Sequence, residues 1–310
     1  MTVTGAQTAN RVGQTDLYVS GIGFGSASIG TLYSDVSEAQ AIETVHFALA
    51  NGITYVDTAP LYNERLVETR IGLALESIPR ERYVLSTKIG RPDGTNAMDF
   101  SADGVKRSIE GSLKRLRTDR VDILLIHDPT PETYHAALTD AYPVLADLRR
   151  QGVIKAVGVG MNYWELLVDF ARDADFDCFI LAGRYTLLEQ GALKALNQFA
   201  EKGISVFAAG IYNTGILTHG AWYQYSPAPR EVIQKVSRLQ AICDQFAVQL
   251  PAAALRFVSA HPAVTSLLVG AESPQQIAQN IERLNAPIPA AFWRALVNED
   301  LLDATAPTPA

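Results

Sequence analysis

Residues 121–127 have the sequence Val-Asp-Ile-Leu-Leu-Ile-His, a nearly continuous apolar run that predicts a β-strand covered on both faces. A long amphipathic segment at about 131–151 predicts a helix after this strand, and residues 156–160 predict the next strand. A strand, a helix and a second strand in this order are typical of a right-handed crossover in a parallel sheet. The fold class is therefore predicted to be α/β.

The same alternation of strand and helix occurs both before residue 121 and after residue 160. Helical segments are predicted between the strands, and the segment at 102–116 places Val105, Ile109, Leu113 and Leu116 at helical spacing. The predicted strands are 21–24, 54–57, 84–88, 121–127, 156–160, 178–182, 205–208 and 266–269. Eight such units without an evident linker favour a closed (β/α)8 TIM barrel over about residues 21–285.

Two further segments lie outside the eight units. Apolar residues flank a turn at 13–16, so residues from about 10 to 20 are predicted to form a β-hairpin that closes the bottom of the barrel. An extra helix and a tail rich in Pro and Ala are predicted within 286–310. We therefore expect residues 1–310 to form a single barrel domain.

Composition and charge exclude several classes of function. The net charge is −7, so neither nucleic acid nor an anionic membrane surface is an expected partner. The chain has two cysteines, Cys178 and Cys243, which excludes a disulfide framework and a Cys-rich metal site, and no metal site is predicted. Neither a membrane-spanning stretch nor a secretory signal is recognisable, so a cytoplasmic protein is expected. The oligomeric state stays open.

Reactive side chains recur at the ends of three consecutive predicted strands. Asp57, Lys88 and His127 end the second, third and fourth strands, and Tyr62 lies in the loop just after Asp57. The loops at this end of a barrel carry its working site. Each residue alone has an ordinary structural interpretation as a turn residue, a surface charge or a core side chain. Burying Asp and Lys at one rim is costly unless they pair, so together they predict an acid–base site.

Three motifs resemble those of the aldo-keto reductase superfamily: Asp-Thr-Ala-x-x-Tyr at 57–62, Ser-Thr-Lys at 86–88 and Leu-Leu-Ile-His at 124–127. The resemblance implies a nicotinamide-dependent oxidoreductase on a (β/α)8 barrel, with those four residues as its catalytic tetrad. Stretches at 158–162 and 181–188 are similar to the branch that contains aldose 1-dehydrogenases and pyridoxal 4-dehydrogenase. The expected reaction is oxidation of an aldose at C1 to its lactone.

Physical chemistry gives each member of this tetrad a role. A phenol has a pKa of about 10, and the ammonium group of Lys88 is expected to lower that of Tyr62. Asp57 would keep Lys88 charged and in place, while His127 would hydrogen-bond the reacting oxygen. Tyr62 would take the hydroxyl proton during oxidation and return it during reduction.

A cofactor segment is expected after the eighth strand. Ser273 precedes a predicted helix at 274–284, and the backbone NH groups at a helix N-terminus suit a phosphate group. The resemblance implies that this segment holds the adenosine phosphate end, with Asn280 at the adenine. Glu272 favours NAD over NADP, because a carboxylate repels a 2′-phosphate and can accept the ribose 2′-hydroxyl. The candidate cofactor residues here are Gly270, Glu272, Ser273, Gln276, Gln279 and Asn280.

The resemblance also implies residues for the nicotinamide, and the loops at the top of the barrel offer candidate substrate residues. Tyr185, just past the sixth strand, is expected to stack on the nicotinamide, and Asn162 is expected to bind its carboxamide group. Tyr33, Arg91 and Trp222 lie in other top loops and are the candidate substrate residues. Aromatic faces with a few polar groups suit either a sugar or a pyridine ring.

Three alternatives to an aldose dehydrogenase stay open. The first two are also enzymes, a pyridoxal 4-dehydrogenase and an NADPH-dependent carbonyl reductase. The third is a cofactor-sensing accessory protein of the kind that serves as a channel subunit. The complete tetrad and the acidic charge balance argue against the third.

Overall fold

A computed structural model describes residues 5–31, 34–92 and 97–309. Eight of its strands, β3 to β9 and β12, close into a parallel barrel, which confirms the predicted (β/α)8 architecture. The strands, numbered along the chain, are β1 (Ala9–Arg11), β2 (Tyr18–Ser20), β3 (Ile22–Gly25), β4 (Tyr55–Asp57), β5 (Val84–Ile89), β6 (Ile123–His127), β7 (Ala156–Met161), β8 (Cys178–Ala182), β9 (Ser205–Ala209), β10 (Trp222–Tyr223), β11 (Ser226–Pro227) and β12 (Val264–Val269).

Helices cover the outside of the barrel. They are α1 (Glu38–Ala50), α2 (Leu66–Leu75), α3 (Ala102–Leu116), α4 (Tyr134–Ala136), α5 (Tyr142–Arg150), α6 (Trp164–Asp173), α7 (Leu193–Lys202), α8 (Arg230–Gln245), α9 (Leu250–Ser259), α10 (Pro274–Asn285) and α11 (Ala290–Asn298). A π-helical turn, Ala137–Ala141, joins α4 to α5, so the helix predicted at 131–151 is interrupted. None of the described helices is long and apolar enough to cross a membrane.

Serine side chains define where several of these helices begin. The hydroxyl oxygen of Ser37 accepts a hydrogen bond from the backbone NH of Gln40 at the start of α1, and Ser101 does the same for Gly104 in α3. Ser273 caps α10 as the sequence predicts. Such a cap satisfies one of the NH groups that the first helical turn leaves free, and contributes about 1 kcal/mol.

The barrel interior has its own apolar core. Tyr55, Phe207 and Cys178 are fully buried there, and the rings of Tyr55 and Phe207 lie 4.8 Å apart. A Cβ atom on Gly158 would come within 2.3 Å of the carbonyl oxygen of Cys178, so glycine allows β7 and β8 to approach closely. Burying each large apolar side chain contributes roughly 1.5–3 kcal/mol. The interior is therefore a packed core, and chemistry is confined to the barrel mouth.

The N-terminal hairpin closes the bottom of this barrel, as predicted. β1 pairs antiparallel with β2, and the buried side chains of Val12 and Val19 pack against the interior core. The backbone NH of Gly13 donates to the hydroxyl oxygen of Ser205, the first residue of β9, at 2.7 Å. The end of the barrel opposite to the hairpin is thus the open end, where the strands terminate.

Candidate active site

The ends of β4, β5 and β6 bring the predicted tetrad together. These strands are neighbours in the barrel, with Asp57 paired to Ser86, and Lys88 to Leu125. Lys88 is 2% exposed, and its ammonium nitrogen donates to both carboxylate oxygens of Asp57, at 2.8 and 3.0 Å. Because a buried charge needs a partner, these bonds hold Lys88 in place.

The same ammonium group reaches the phenol of Tyr62. The distance from Lys88 Nζ to Tyr62 Oη is 3.1 Å, and a further bond of 2.8 Å goes to the carbonyl oxygen of Thr58. Burial acts against the charged form of Lys88, but the negative charge of Asp57 and the contact with Tyr62 outweigh it and raise the Lys88 pKa. Lys88 is therefore a fixed cation beside the phenol.

Serine and tyrosine side chains below the rim orient Asp57. Ser86 Oγ donates to Asp57 Oδ1 at 2.6 Å and lies 3.1 Å from the hydroxyl oxygen of Tyr55. Motif reasoning gives Ser86 no role, although it is part of the Ser-Thr-Lys motif. The chain of contacts shows that β4 and β5 are joined below the rim by side-chain as well as backbone hydrogen bonds.

Burial outweighs the expected effect of Lys88 on the pKa of Tyr62. Desolvation by burial raises the pKa of Tyr62 to about 12, although the charge of Lys88 and its hydrogen bond act in the opposite direction. The free energy that the phenolate loses when water is excluded is larger than the stabilisation that one nearby cation provides. Tyr62 is therefore protonated at neutral pH and suited to donate a proton.

His127 lies on the other side of the phenol. Its ring is edge-on to that of Tyr62, with centroids 5.9 Å apart and an interplanar angle of 85°. Burial, followed by the positive charges of Lys88 and Arg91, lowers the His127 pKa well below 6.5. A neutral imidazole at this rim can donate or accept one hydrogen bond without adding a charge.

Asp128, which motif reasoning does not identify, lies beside this imidazole. Its carboxylate oxygen Oδ2 is 3.6 Å from His127 Nε2, and 49% of its side chain is exposed. Its backbone has a φ of 45°, and its NH donates to the carbonyl oxygen of Gly160 at 2.9 Å. The signal in the sequence is only its position next to His127 at a strand end.

The segment after β12 has features that fit an adenosine ribose. Oε1 of Glu272 is buried and has no hydrogen-bond partner among the described residues. The backbone of Glu272 is fixed on two sides, because its NH donates to Gln276 Oε1 and its carbonyl oxygen accepts from Gln40 Nε2, both at 2.8 Å. A buried carboxylate oxygen without a donor is costly, and a ligand hydroxyl group would satisfy it.

The predicted adenine residue is linked to the loop after β9. Asn280 is buried, and its side-chain oxygen accepts from the hydroxyl of Tyr212 at 2.8 Å. Burial raises the pKa of Tyr212 to about 12 against the effect of Arg283, so this hydroxyl stays a donor. Gly270 and Gln279 are exposed on the same segment. These positions would hold the adenosine end of a nicotinamide cofactor.

The contacts of Tyr185 correct the expectation that it stacks on a nicotinamide. Its ring is 3% exposed and lies outside the barrel wall, stacked on Phe257 of α9 at 5.1 Å and edge-on to His261 at 5.2 Å. The loop turns this side chain into the layer between strands and helices. Tyr185 is therefore a packing residue, because both of these neighbouring side chains are buried.

Asn162 and two of the substrate candidates, Arg91 and Trp222, lie in loops that follow strand ends. Asn162 is exposed after β7, and its carbonyl oxygen accepts from Arg184 Nε at 3.3 Å, while α6 begins at Trp164. Arg91 is partly buried close enough to influence the pKa of His127. Trp222 is 52% exposed in the short hairpin of β10 and β11. Tyr33 lies outside the described residues.

Comparisons with known proteins agree with this geometry. The sequence matches the Aldo/keto reductase family over residues 21–298. It is 36% identical to D-threo-aldose 1-dehydrogenase of a Pseudomonas species, covering 94% of this chain and 96% of that protein. It is also 36% identical to pyridoxal 4-dehydrogenase of Microbacterium luteolum, covering 96% and 98%. Aldo-keto reductase AKR11C1 from Bacillus halodurans, in its holo form, has a TM-score of 0.79 and 25% identity, covering 97% of this chain and 98% of that chain.

The fold and the comparisons together define a barrel oxidoreductase. The chain belongs to the aldo/keto reductase family. It is an NAD(P)-dependent oxidoreductase that acts on carbonyl or alcohol groups of small molecules, as the resemblance of its motifs implies.

Proposed function

We propose that this enzyme oxidises an aldose at C1 to the corresponding lactone, with Asp57, Tyr62, Lys88 and His127 as the catalytic residues. The observation that carries the proposal is the 3.1 Å contact between Lys88 Nζ and Tyr62 Oη at the open end of the barrel. The similarity to D-threo-aldose 1-dehydrogenase supports the choice of an aldose. The cytoplasmic location and the single-domain organisation stay predictions.

The four side chains divide the proton chemistry between them. A bound nicotinamide would supply the hydride acceptor for oxidation at C1 and a positively charged ring beside these residues. Tyr62 as phenolate accepts the proton of the C1 hydroxyl group, so that the C–H and O–H bonds break and the C=O bond of the lactone forms. Lys88 stabilises the phenolate, Asp57 fixes Lys88, and neutral His127 donates a hydrogen bond to the reacting oxygen.

For the cofactor we infer a preference for NAD. The buried oxygen of Glu272 lacks a donor among the described residues, and the 2′-hydroxyl of an adenosine ribose would supply one. A 2′-phosphate at that place would be repelled by the carboxylate. Gly270, Ser273 and Gln276 would bind the adjoining phosphate and ribose, Gln279 and Asn280 the adenine, and Asn162 the carboxamide group.

Pyridoxal oxidation is the second candidate, because the identity to pyridoxal 4-dehydrogenase is also 36%. The same tetrad would serve a cyclic hemiacetal of either a sugar or pyridoxal. The two candidates differ only in what surrounds the reacting carbon, where Arg91 and Trp222 are the proposed substrate residues.

A substrate panel tests the proposal. The purified chain is incubated with NAD or NADP and L-fucose, L-galactose, D-arabinose or pyridoxal, and the absorbance of the reduced cofactor is followed. We expect turnover with NAD and at least one aldose, and a lactone product identified by NMR before it hydrolyses. Turnover with pyridoxal alone would replace the first candidate by the second, and failure with every substrate in both directions would contradict both.

A further inference from the structure

Asp128 directly follows β6 at the barrel mouth, and its carboxylate lies beside His127. Its Oδ2 atom lies 3.6 Å from Nε2 of His127, the imidazole proposed to bind the reacting oxygen. About half of the side chain is exposed. A group bound to His127 would therefore bring its neighbouring atoms to this carboxylate.

The backbone fixes the position from which this side chain extends. Asp128 has a φ of 45°, a left-handed conformation that costs free energy for most residues and that Asp and Asn tolerate best. The bond from its NH to the carbonyl oxygen of Gly160 holds the turn against β7. The turn immediately after β6 thus holds the carboxylate at the rim. Because the side chain of Asp is short, the carboxylate stays close to this fixed backbone.

We propose that Asp128 binds the hydroxyl group on the carbon next to the reacting one, so that the site selects polyhydroxylated substrates. This inference rests on the proposed function and names the substrate class of the same site. A carboxylate accepts hydrogen bonds from two hydroxyl groups at once, and bonds to a charged acceptor are about twice as strong as neutral ones. Vicinal sugar hydroxyls are about one hydrogen-bond length apart, which matches a carboxylate adjacent to the imidazole.

The hairpin of β10 and β11 carries the aromatic side chains that would form the other part of this subsite. The hairpin of β10 and β11 is tied to the loop after β9, because the backbone NH of Tyr225 donates to Thr214 Oγ1 at 3.3 Å. Burial of its hydroxyl group, and then the negative charge of Asp128, raise the pKa of Tyr225 in this hairpin. A carboxylate facing aromatic rings suits a ring with polar edges and an apolar face.

The same carboxylate disfavours pyridoxal. In the hemiacetal of pyridoxal, the free hydroxyl group nearest on the ring to the reacting carbon is the acidic phenol on C3, which is ionised at neutral pH and cannot donate. Two negative oxygens at hydrogen-bond distance repel each other, whereas a sugar hydroxyl donates. Asp128 would therefore discriminate between an aldose and pyridoxal, which the tetrad alone does not do.

A double-mutant cycle tests this inference, with the Asp128 side chain removed in the protein and the 2-hydroxyl group removed in the substrate. L-fucose, L-galactose and D-arabinose are compared with their 2-deoxy counterparts on wild-type protein, Asp128→Asn and Asp128→Gly. Asn and Gly both tolerate the backbone conformation. We expect kcat/KM for the full aldose to fall by about 10-fold in D128N and about 100-fold in D128G, and for the 2-deoxy sugar to change less than about threefold.

The controls separate binding from folding and from failure of the proposed function. Asp16→Asn, on the exposed hairpin at the opposite end of the barrel, is the matched control and should leave both substrates unchanged. NAD affinity, measured by quenching of tryptophan fluorescence, should be the same in all variants. Equal decreases in kcat/KM for the full and the 2-deoxy sugars, or a decrease under about twofold in D128G, would overturn the inference. Turnover of an aldose by the wild type would still support the proposed function in that case. Absence of wild-type turnover with any aldose would overturn both.

Discussion

Lys88 Nζ lies 3.1 Å from Tyr62 Oη and also over the ring of Tyr62, 4.8 Å from its centroid. One ammonium group thus contacts both the reactive oxygen and the aromatic face of the same residue. The cation–π contact fixes the ring, and the hydrogen bond fixes the direction of the hydroxyl group. Because Lys88 is held by Asp57, the phenol is oriented through two residues from neighbouring strands.

Tyr62→Phe removes the proposed proton donor and acceptor while keeping the ring. General acid–base catalysis contributes about 10²- to 10⁴-fold, so we expect kcat to fall by about 10³-fold. NAD affinity should change less than about twofold, because the variant keeps the shape of the site. Steady-state kinetics and fluorescence titration measure the two quantities. Tyr18→Phe, in the exposed hairpin, is the matched control, and wild-type kcat in Tyr62→Phe would contradict the assignment.

Asp57→Asn should destabilise the fold as well as stop catalysis. Lys88 is 2% exposed, and loss of the carboxylate would leave its charge buried without compensation. Breaking a buried ion pair costs about 3–5 kcal/mol, which we expect as the decrease in the free energy of unfolding. Urea denaturation followed by circular dichroism measures it. Asp103→Asn, on the exposed start of α3, should change stability by under about 0.5 kcal/mol.

The pH dependence should differ between the two directions of the reaction. Oxidation needs Tyr62 as phenolate, and its pKa of about 12 means that the phenolate fraction grows about tenfold per pH unit below that value. Reduction needs the neutral phenol, which is present throughout this range. We expect kcat/KM for oxidation to rise from pH 7 to pH 10 and that for reduction to stay level, apart from changes in the overall equilibrium. A level profile for oxidation would show that bound cofactor and substrate offset the desolvation of the phenol.

The sequence predicts the barrel well because its signals are local and repeat eight times. α3 begins and ends where the sequence predicts, since Ser101 caps it and its apolar residues recur at helical spacing. The tetrad follows from the same reasoning, because parallel strands end at one rim. The hairpin of β10 and β11 is missed, since strands of two residues leave no alternation to detect, and its turn has positive φ at Gln224 and Tyr225.

Two properties of the site depend on tertiary structure and not on motifs. The direction of Tyr185 is set by the path of the loop after β8, which places its ring against Phe257, and no residue type reveals that path. The pKa of Tyr62 depends on how much water the folded rim excludes, which motif spacing does not report. Asp128 carries a weak signal, its place after His127, but only the distance of 3.6 Å gives it a role.

Glu272→Lys should change cofactor preference. The substitution replaces a carboxylate that repels a 2′-phosphate by a cation that attracts it. We expect the ratio of kcat/KM for NAD to that for NADP to fall by at least about 10-fold. Glu282→Lys, exposed on the same helix α10, makes the same change of charge away from the segment after β12 and should leave the ratio within about twofold. An unchanged ratio in Glu272→Lys would exclude Glu272 from cofactor selection.

His261 should make the fold sensitive to acid. Its side chain is fully buried where the loop before β12 meets α7. Its Nδ1 accepts from the backbone NH of Ala263 at 3.2 Å, so Nε2 carries the proton and donates to Asn197 Oδ1, also at 3.2 Å. A second proton, on Nδ1, would face the NH of Ala263 and lose that bond. Burial accordingly lowers the His261 pKa from 6.5 to about 4.

The sign and the range of the effect follow from the lowered pKa. An unfolded chain binds a proton at His261 below about pH 6.5, whereas the folded chain binds it only near pH 4, so stability is complete above pH 6.5 and decreases as the pH falls towards 4. At 1.4 kcal/mol per unit of pKa, the loss amounts to about 3 kcal/mol. His127, whose pKa is also lowered, adds equally to the loss in the wild type and in the His261→Gln variant. The contribution of His261 is therefore the difference between wild type and His261→Gln, measured by urea denaturation at pH 7.5 and pH 4.5. Because glutamine does not titrate, we expect the variant to lose about 2–3 kcal/mol less over this interval, and equal losses in the two proteins would show that the buried imidazole does not set acid stability.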